Sequence, residues 1–138
     1  MLLVLLATTG FAISSYFTSV FYRWLRPDAR WIPPVCRMDE QTCASVIFTP
    51  NARVFGVPNS LLGQAYYLAL LIATASGLLD HAYVWRALLL ASAGSVCLAV
   101  YLSYSLLFLL RLPCPLCFTS HGINITICIL LLTSPPVL

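Results

Sequence analysis

The sequence has little charge and no lysine. Asp, Glu, Lys and Arg make up 8% of its 138 residues, against about 25% in an average soluble globular chain. The seven basic residues are all arginine and are dispersed along the chain, so the basic patch of a nucleic-acid-binding protein is missing. Because 61% of the residues are hydrophobic, a soluble fold could not bury the apolar surface, and the composition indicates an integral membrane protein.

The sequence also lacks internal repeats and any change of composition that would mark a second domain. We therefore expect a single domain over residues 1–138. No basic residue precedes the first apolar run, which is longer than the apolar core of a signal peptide. A retained first helix is therefore expected rather than a cleaved signal.

Four apolar segments are present, and a helix needs roughly 20 apolar residues to cross a bilayer. The first three segments approach this length, and the fourth is shorter. They cover approximately residues 2–25, 61–79, 87–110 and 115–132. A long polar connection joins the first two segments, whereas the other connections are short. The sequence therefore predicts an all-α integral membrane protein, a bundle of four transmembrane helices with a long loop between helices 1 and 2.

Four crossings would bring four of the six cysteines to one membrane face. Cys36 and Cys43 lie in the long loop, and Cys114 and Cys117 begin the fourth segment. The remaining two cysteines lie within apolar runs, where a free cysteine behaves as a small hydrophobic residue, and we expect them to be inert. These two are Cys97 and Cys128.

The Cys114-Pro-Leu-Cys117 turn has the properties of a redox pair. Pro115 suits the first position of a helix, and the helix N-terminus favours a thiolate on a neighbouring cysteine. Two thiols three residues apart can close a disulfide and reopen it by exchange, although metal-binding ribbons also use this spacing. With the loop pair Cys36 and Cys43 it suggests a relay from an external dithiol to an acceptor within the bilayer, for which a quinone is the natural candidate.

Polar and thiol side chains also form a stripe along the fourth segment. Their spacings of three and four residues place them on one face of a helix, and polar groups at membrane depth usually face the interior of a bundle. Hydrogen bonds between helices are the simpler explanation of such a stripe, but the leading cysteines favour a site. The members are Cys114, Cys117, His121, Asn124 and Cys128.

Asn59, at the start of the second segment, has two interpretations. It can cap that helix, and it also shares a helical face with Gly63 and Tyr66, from which its amide could reach a ligand carbonyl. The residues alone favour capping.

Together these features resemble the vitamin K epoxide reductase family over nearly the whole chain. The matching features are the loop cysteine pair, a Pro-Asn-Ser-x-x-Gly motif, the CxxC pair and an Ile-Asn dipeptide after it. In this chain they are Cys36 and Cys43, Pro58-Asn59-Ser60 with Gly63, Cys114 and Cys117, and Ile123-Asn124.

The resemblance implies a four-helix bundle around a quinone of the ubiquinone or menaquinone type. Prokaryotic relatives form disulfides in partner proteins by reducing a membrane quinone, often with a thioredoxin-like partner. No fused thioredoxin domain is seen in the sequence, so a separate thioredoxin-like electron donor is implied, and we expect a monomer. By this resemblance Cys117 would lie nearest the quinone, Cys114 would exchange with a loop cysteine, and Asn59 would hydrogen-bond a quinone oxygen. The ring pocket would be lined by Leu62, Tyr66 and Leu116.

His121 departs from the family pattern, which usually has Tyr four residues after the second CxxC cysteine. Both side chains can donate a hydrogen bond, but only His readily titrates near neutrality. We expect His121 to donate to the second quinone oxygen and to be able to supply a proton. The departure also makes quinone-linked disulfide formation a better prediction than recycling of vitamin K epoxide.

The arginines bear on orientation in the membrane. Enzymes that resemble this chain usually have the cysteine face outside the cytoplasm. However, arginines are enriched on the cytoplasmic side of membrane proteins. Only Arg86 lies on the face opposite the cysteines, so the bias predicts a cytoplasmic cysteine face. The arginines on the cysteine face are Arg23, Arg26, Arg30, Arg37, Arg53 and Arg111.

Two other functions are compatible with the cysteines. Cys36, Cys43, Cys114 and Cys117 could form a structural Cys₄ zinc site, although the six residues between the loop cysteines fit a paired CxxC arrangement poorly. A passive bundle with a static disulfide staple is the third possibility.

Overall fold

The computed structural model describes residues 1–26, 49–50, 53–54, 56–111 and 114–136. Within these residues the main elements are four long helices. They are α1 (Leu2–Phe21), α2 (Asn59–Ala75), α3 (Ala82–Tyr104) and α4 (Pro115–Thr133). A 3₁₀ turn (Leu78–Asp80) precedes α3, and a π-helix (Ser105–Leu110) continues it.

Three of these helical stretches are long and apolar enough to cross a membrane: Leu2–Phe21, Ala82–Leu110 and Pro115–Thr133. Helix α2 has 17 residues, which at 1.5 Å per residue is about 26 Å, somewhat less than the roughly 30 Å hydrocarbon core of a bilayer. The prediction of apolar membrane helices is confirmed for three segments, whereas the fourth crossing stays a prediction.

A small β-ribbon corrects the all-α prediction. Strand β1 (Arg53–Val54) pairs antiparallel with β2 (Val57–Pro58), and Gly56 between them has a φ of 80°, which favours glycine. The polar composition of the loop hid this short pairing, because two residues per strand are too few to show alternation. Most of the predicted loop lies outside the described residues.

Helix α1 ends at Phe21 rather than near residue 25 because the chain takes a left-handed turn at Arg23, whose φ is 60°. The Trp24 N–H donates to the Ser19 carbonyl over 2.8 Å, and the Arg23 N–H donates to the Val20 carbonyl over 3.0 Å. These bonds satisfy carbonyls of the last turn in the manner of a Schellman cap. An apolar run alone does not reveal such a stop.

Helices α1 and α2 pack closely, and small residues make their approach possible. A Cβ added to Gly10 would lie 2.4–2.8 Å from ring carbons of Tyr67, and one added to Gly63 would lie 2.9 Å from the Ser14 Oγ. Close approach of backbones through small residues is typical of helices in membranes. By contrast, α2 and α3 meet over only a short stretch, which leaves space between them.

The end of the bundle remote from the CxxC turn is tightly packed. The Trp85 indole Nε1 donates to the Leu131 carbonyl over 3.1 Å. This carbonyl has no helical partner, because the residue four positions on is Pro135, which has no N–H. The buried core here contains Ala7, Tyr67, Leu70, Ala73, Leu88, Ile123, Ile127 and Leu131.

Candidate functional site

A cavity of about 330 Å³ lies inside the bundle, a volume at the lower end of the range for small-molecule sites. All four helices and the π-helix contribute to its wall. No Asp, Glu, Lys or Arg is present among the described residues that line it. The cavity therefore suits a largely apolar ligand that has a few hydrogen-bonding atoms.

Five of the residues predicted for the site line this cavity. They are Asn59, Leu62, Tyr66, Cys117 and His121. Leu116 is placed differently from its prediction. It is not among the residues that line the cavity and packs, as Cys117 also does, against the cluster of Phe17, Val20 and Cys114. One residue before Cys117, it lies about 100° from it around the helix. Cys36 and Cys43 lie outside the described residues.

The two cysteines of the CxxC turn are in different states. Cys114 is fully buried at the N-cap of α4 and is disulfide-bonded. Cys117 is a free thiol that is partly buried and faces the cavity. The pair is therefore not closed on itself in this state.

Cys97 and Cys128 are also free. Cys97 is exposed on α3, and neither sulfur belongs to the cavity wall. The described part of the chain holds no group of three or more His, Cys, Asp or Glu side chains that could bind a metal ion. This finding does not extend to the two loop cysteines.

Pro115 begins α4, as its position in the motif predicts. The carbonyl of Cys114 accepts from the Phe118 N–H over 3.2 Å, so the helix starts directly at the disulfide-bonded cysteine. Cys117 then falls within the first turn of α4.

Two side chains of the polar stripe on α4, Asn124 and His121, have different surroundings. The Tyr67 hydroxyl donates to the Asn124 Oδ1 over 2.6 Å, so Asn124 makes the interhelical hydrogen bond that the simpler explanation of the stripe predicts. His121 does not take part in such a bond. Its buried Nε2 has no hydrogen-bond partner among the described residues.

Among the described residues, two buried polar atoms of the cavity wall lack a hydrogen bond of good geometry: the Tyr66 hydroxyl on α2, which has the Ser92 hydroxyl of α3 nearby, and the His121 Nε2 on α4. Leaving a buried polar group unsatisfied costs about 1–3 kcal/mol. A ligand with oxygen atoms facing these groups would remove that cost. A third such atom, the Ser92 Oγ on α3, belongs to a residue outside the cavity lining.

Asn59 does not cap α2. The helix begins at Asn59 itself, its N-cap position is Pro58, and no side-chain hydrogen bond caps it. The capping prediction was wrong because Pro58 already supplies an extended backbone before the helix, with φ −57° and ψ 133°. The Asn59 side chain instead lies on the cavity wall, as the resemblance implied.

Sequence reasoning missed the walls formed by α1 and by the end of α3. Phe17 contributes from α1, and Ser105 and Leu106 contribute from the π-helix. π-Helical turns occur frequently at functional sites. The small residues Ala91, Gly94 and Ser95, which recur at helical spacing on α3, were the one available signal, because they leave room beside a helix.

The fold and the site define a class: a helical membrane protein with a free thiol on the wall of a cavity whose described lining residues carry no charge, and with a second cysteine held in a disulfide. The family model of the vitamin K epoxide reductase family matches residues 1–132, so the chain belongs to that family. A comparison with curated protein sequences gives no significant match. Family membership implies a membrane thiol oxidoreductase.

Proposed function

We propose that this oxidoreductase forms disulfides in partner proteins by passing electrons from Cys36 and Cys43 to Cys114 and Cys117, and from there to a quinone. The observation that carries the proposal is the divided state of the CxxC turn. Cys114 is in a disulfide, and Cys117 is a free thiol facing the cavity. Such a division is expected of an exchange intermediate, in which one cysteine contacts the donor and the other faces the acceptor.

The other three described cysteines, Cys97, Cys117 and Cys128, are free, so Cys114 is bonded to none of them. As the family resemblance implies, we propose that Cys114 is the member of the CxxC pair that exchanges with the loop cysteines.

The exchange then balances as follows. A loop thiolate attacks the Sγ of Cys114, which breaks the Cys114–Cys117 bond and leaves Cys117 as a thiol. The second loop cysteine attacks the mixed disulfide, which yields a loop disulfide and a reduced CxxC pair. The loop disulfide takes two electrons from the dithiol of a separate thioredoxin-like partner and is thereby reduced again.

The cavity fits a quinone. Its described lining residues carry no charge. The Tyr66 hydroxyl and the His121 Nε2, which have no well-formed hydrogen bond to a described residue, belong to its wall, where a ring oxygen would be an acceptor. Asn59, also on the wall, carries an amide donor. A bound quinone of the ubiquinone or menaquinone type supplies an acceptor for two electrons and two protons. Asn59 and His121 would hold its oxygens, and Leu62 would contact the ring.

We also propose that the cysteine end faces the cytoplasm. Phe17 and Val20, near the end of α1, pack on Cys114, so the α1 C-terminus and the α4 N-terminus share one end of the bundle. The described arginines at that end are Arg23, Arg26, Arg53 and Arg111, and Arg86 is at the start of α3, towards the other end. Positive residues favour the cytoplasmic side. A reporter fused to the C-terminus should be extracytoplasmic, and a cytoplasmic reporter would refute this orientation.

The redox proposal is tested by anaerobic mixing of the reduced protein with a water-soluble quinone analogue. We expect the wild-type protein to reduce the analogue with loss of two thiols, and Cys117→Ala to lose this reaction. Cys97→Ala, which removes an exposed thiol away from the cavity, is the matched control and should react like wild type. Equal reduction by Cys117→Ala and wild type would remove the basis of the proposal.

The same measurement separates the two other functions. A Cys₄ zinc site would release metal on thiol modification. A static disulfide would release no metal and would lose no thiols when quinone is added. The disulfide at Cys114 already disfavours the zinc site, because a zinc ligand must be a thiolate.

A further inference from the structure

We infer that His121 carries a proton between the Cys117 thiol and the oxygen of a ligand bound in the cavity. The inference rests on the proposed function, because it assigns a role within the same thiol–quinone reaction. The inferred role goes beyond a hydrogen bond to the ligand, because any hydrogen-bond donor at this position could make that bond. Its basis is the position of His121, the state of its Nε2 and the chemistry of the surrounding wall.

The position of His121 relates it to the reacting sulfur. His121 follows Cys117 by four residues on α4, which places the two side chains one turn apart on the same helical face. Both line the cavity. The His121 Nε2 is buried and has no hydrogen-bond partner among the described residues, so the Cys117 sulfur does not satisfy it. A ligand atom between the two side chains would have both within reach.

The wall offers few other groups that could move a proton. The titratable side chains that line the cavity are Tyr66 and Tyr67 from α2, with Cys117 and His121 from α4. The described lining residues of α1, α3 and the π-helix include no titratable or charged side chain. Tyr67 already donates to Asn124. Among these groups only an imidazole readily gains and loses a proton near neutrality.

The reaction needs such a group. As the Cys114–Cys117 bond forms, two thiols lose two electrons and two protons, and the quinone takes up the same number to become the hydroquinone. The His121 Nε2 gives a proton to the ligand oxygen and takes up the proton that the Cys117 Sγ releases, so the imidazole ends unchanged. The second proton, from Cys114, passes to water at the mouth of the site, and water supplies the proton for the second oxygen.

A test that transfers no electrons measures proton uptake on ligand binding. An alkylated hydroxynaphthoquinone, an anion at neutral pH, is titrated into the full chain carrying Cys117→Ser, by calorimetry in two buffers of different ionisation enthalpy. If His121 is the proton carrier, about one proton is taken up per ligand bound above neutrality, because the imidazole is protonated against the anionic oxygen. His121→Gln and His121→Tyr keep a hydrogen-bond donor and should take up almost none.

A second arm measures the reaction itself. In the chain with its native Cys117, His121→Gln should slow single-turnover oxidation of the reduced pair by about 100-fold, as expected for loss of a general acid–base group. Equal proton uptake in the variants and in the parent would overturn the role of His121 alone. Failure of the parent to bind the ligand would instead overturn the quinone site, and with it the inference.

Discussion

Tyr66 and Tyr67 are adjacent on α2 but have opposite surroundings. The Tyr67 side chain is almost fully buried, its ring covers Gly10 of α1, and its hydroxyl donates to Asn124. The Tyr66 ring is only partly buried, and its hydroxyl makes no well-formed hydrogen bond to a described residue. Both side chains border the cavity, but the Tyr67 hydroxyl is used for packing between helices, whereas the Tyr66 hydroxyl is left for a ligand. Substitutions at the two positions should therefore separate stability from binding.

The largest effect is expected at Gly10, beneath the Tyr67 ring. In Gly10→Ala the new Cβ would lie 2.4–2.8 Å from three ring carbons, so α1 and α2 must separate or the buried ring must move. We expect a loss of about 3 kcal/mol in the free energy of unfolding, at the upper end for overpacking. Denaturation of the wild-type protein and of Gly10→Ala in detergent micelles measures this difference in the free energy of unfolding.

Gly94→Ala is the control for this substitution. A Cβ at Gly94 meets nothing within 4 Å, so the free energy of unfolding should not fall. Equal destabilisation by the two alanines would show that the contact with Tyr67 is not the cause, because Gly94→Ala makes no such contact and alanine has the higher helix propensity at both positions.

The two tyrosines themselves give the next effect. Tyr67→Phe removes the hydroxyl that donates to the Asn124 Oδ1 over 2.6 Å. Because this oxygen then lacks its donor, we expect a loss of about 1–2 kcal/mol in the free energy of unfolding. Tyr66→Phe removes a hydroxyl that makes no well-formed hydrogen bond to a described residue, so stability should be nearly unchanged while affinity for a quinone analogue falls. Denaturation and ligand titration on both variants check this, and the comparison fails if Tyr66→Phe proves the more destabilising.

The smallest effect on stability is expected at Asn59. Since no side-chain hydrogen bond caps α2, Asn59→Ala should change the free energy of unfolding by less than about 0.5 kcal/mol, below the usual cost of a lost cap. Its affinity for the quinone analogue should fall. Ser15→Ala, which removes the acceptor of the Gln64 Nε2 bond of 2.8 Å and lies outside the cavity lining, should show the reverse pattern. Destabilisation by Asn59→Ala with unchanged affinity would restore the capping interpretation.

Much of this arrangement follows from the sequence. The apolar runs located the helices, and Pro115 placed the start of α4 to the residue, because proline at the first helical position is a strong local signal. The helical spacing of Cys117 and His121 predicted that they share one face of α4, and both line the cavity. Local chemistry and periodicity were sufficient for these features.

The sequence could not assign the remaining walls. A membrane helix is apolar on every side, so hydropathy does not distinguish the face of Phe17 that lines the cavity from the faces that meet lipid. The same limit explains Asn124, whose amide fits a ligand site or an interhelical bond equally well until Tyr67 is seen opposite it. Which cysteine of the pair is bonded and which is free depends on a redox state, and spacing does not encode it.

The unequal lengths of the helices have a consequence for the surrounding bilayer. The stretch Ala82–Leu110 has 29 residues and α2 has 17, so their lengths, at most about 44 Å and about 26 Å, lie on either side of the roughly 30 Å hydrocarbon core. The long helix must tilt or project. If α2 makes the fourth predicted crossing, it would draw the membrane thinner or leave its ends within it, and lipid chain length would then alter the depth of Asn59.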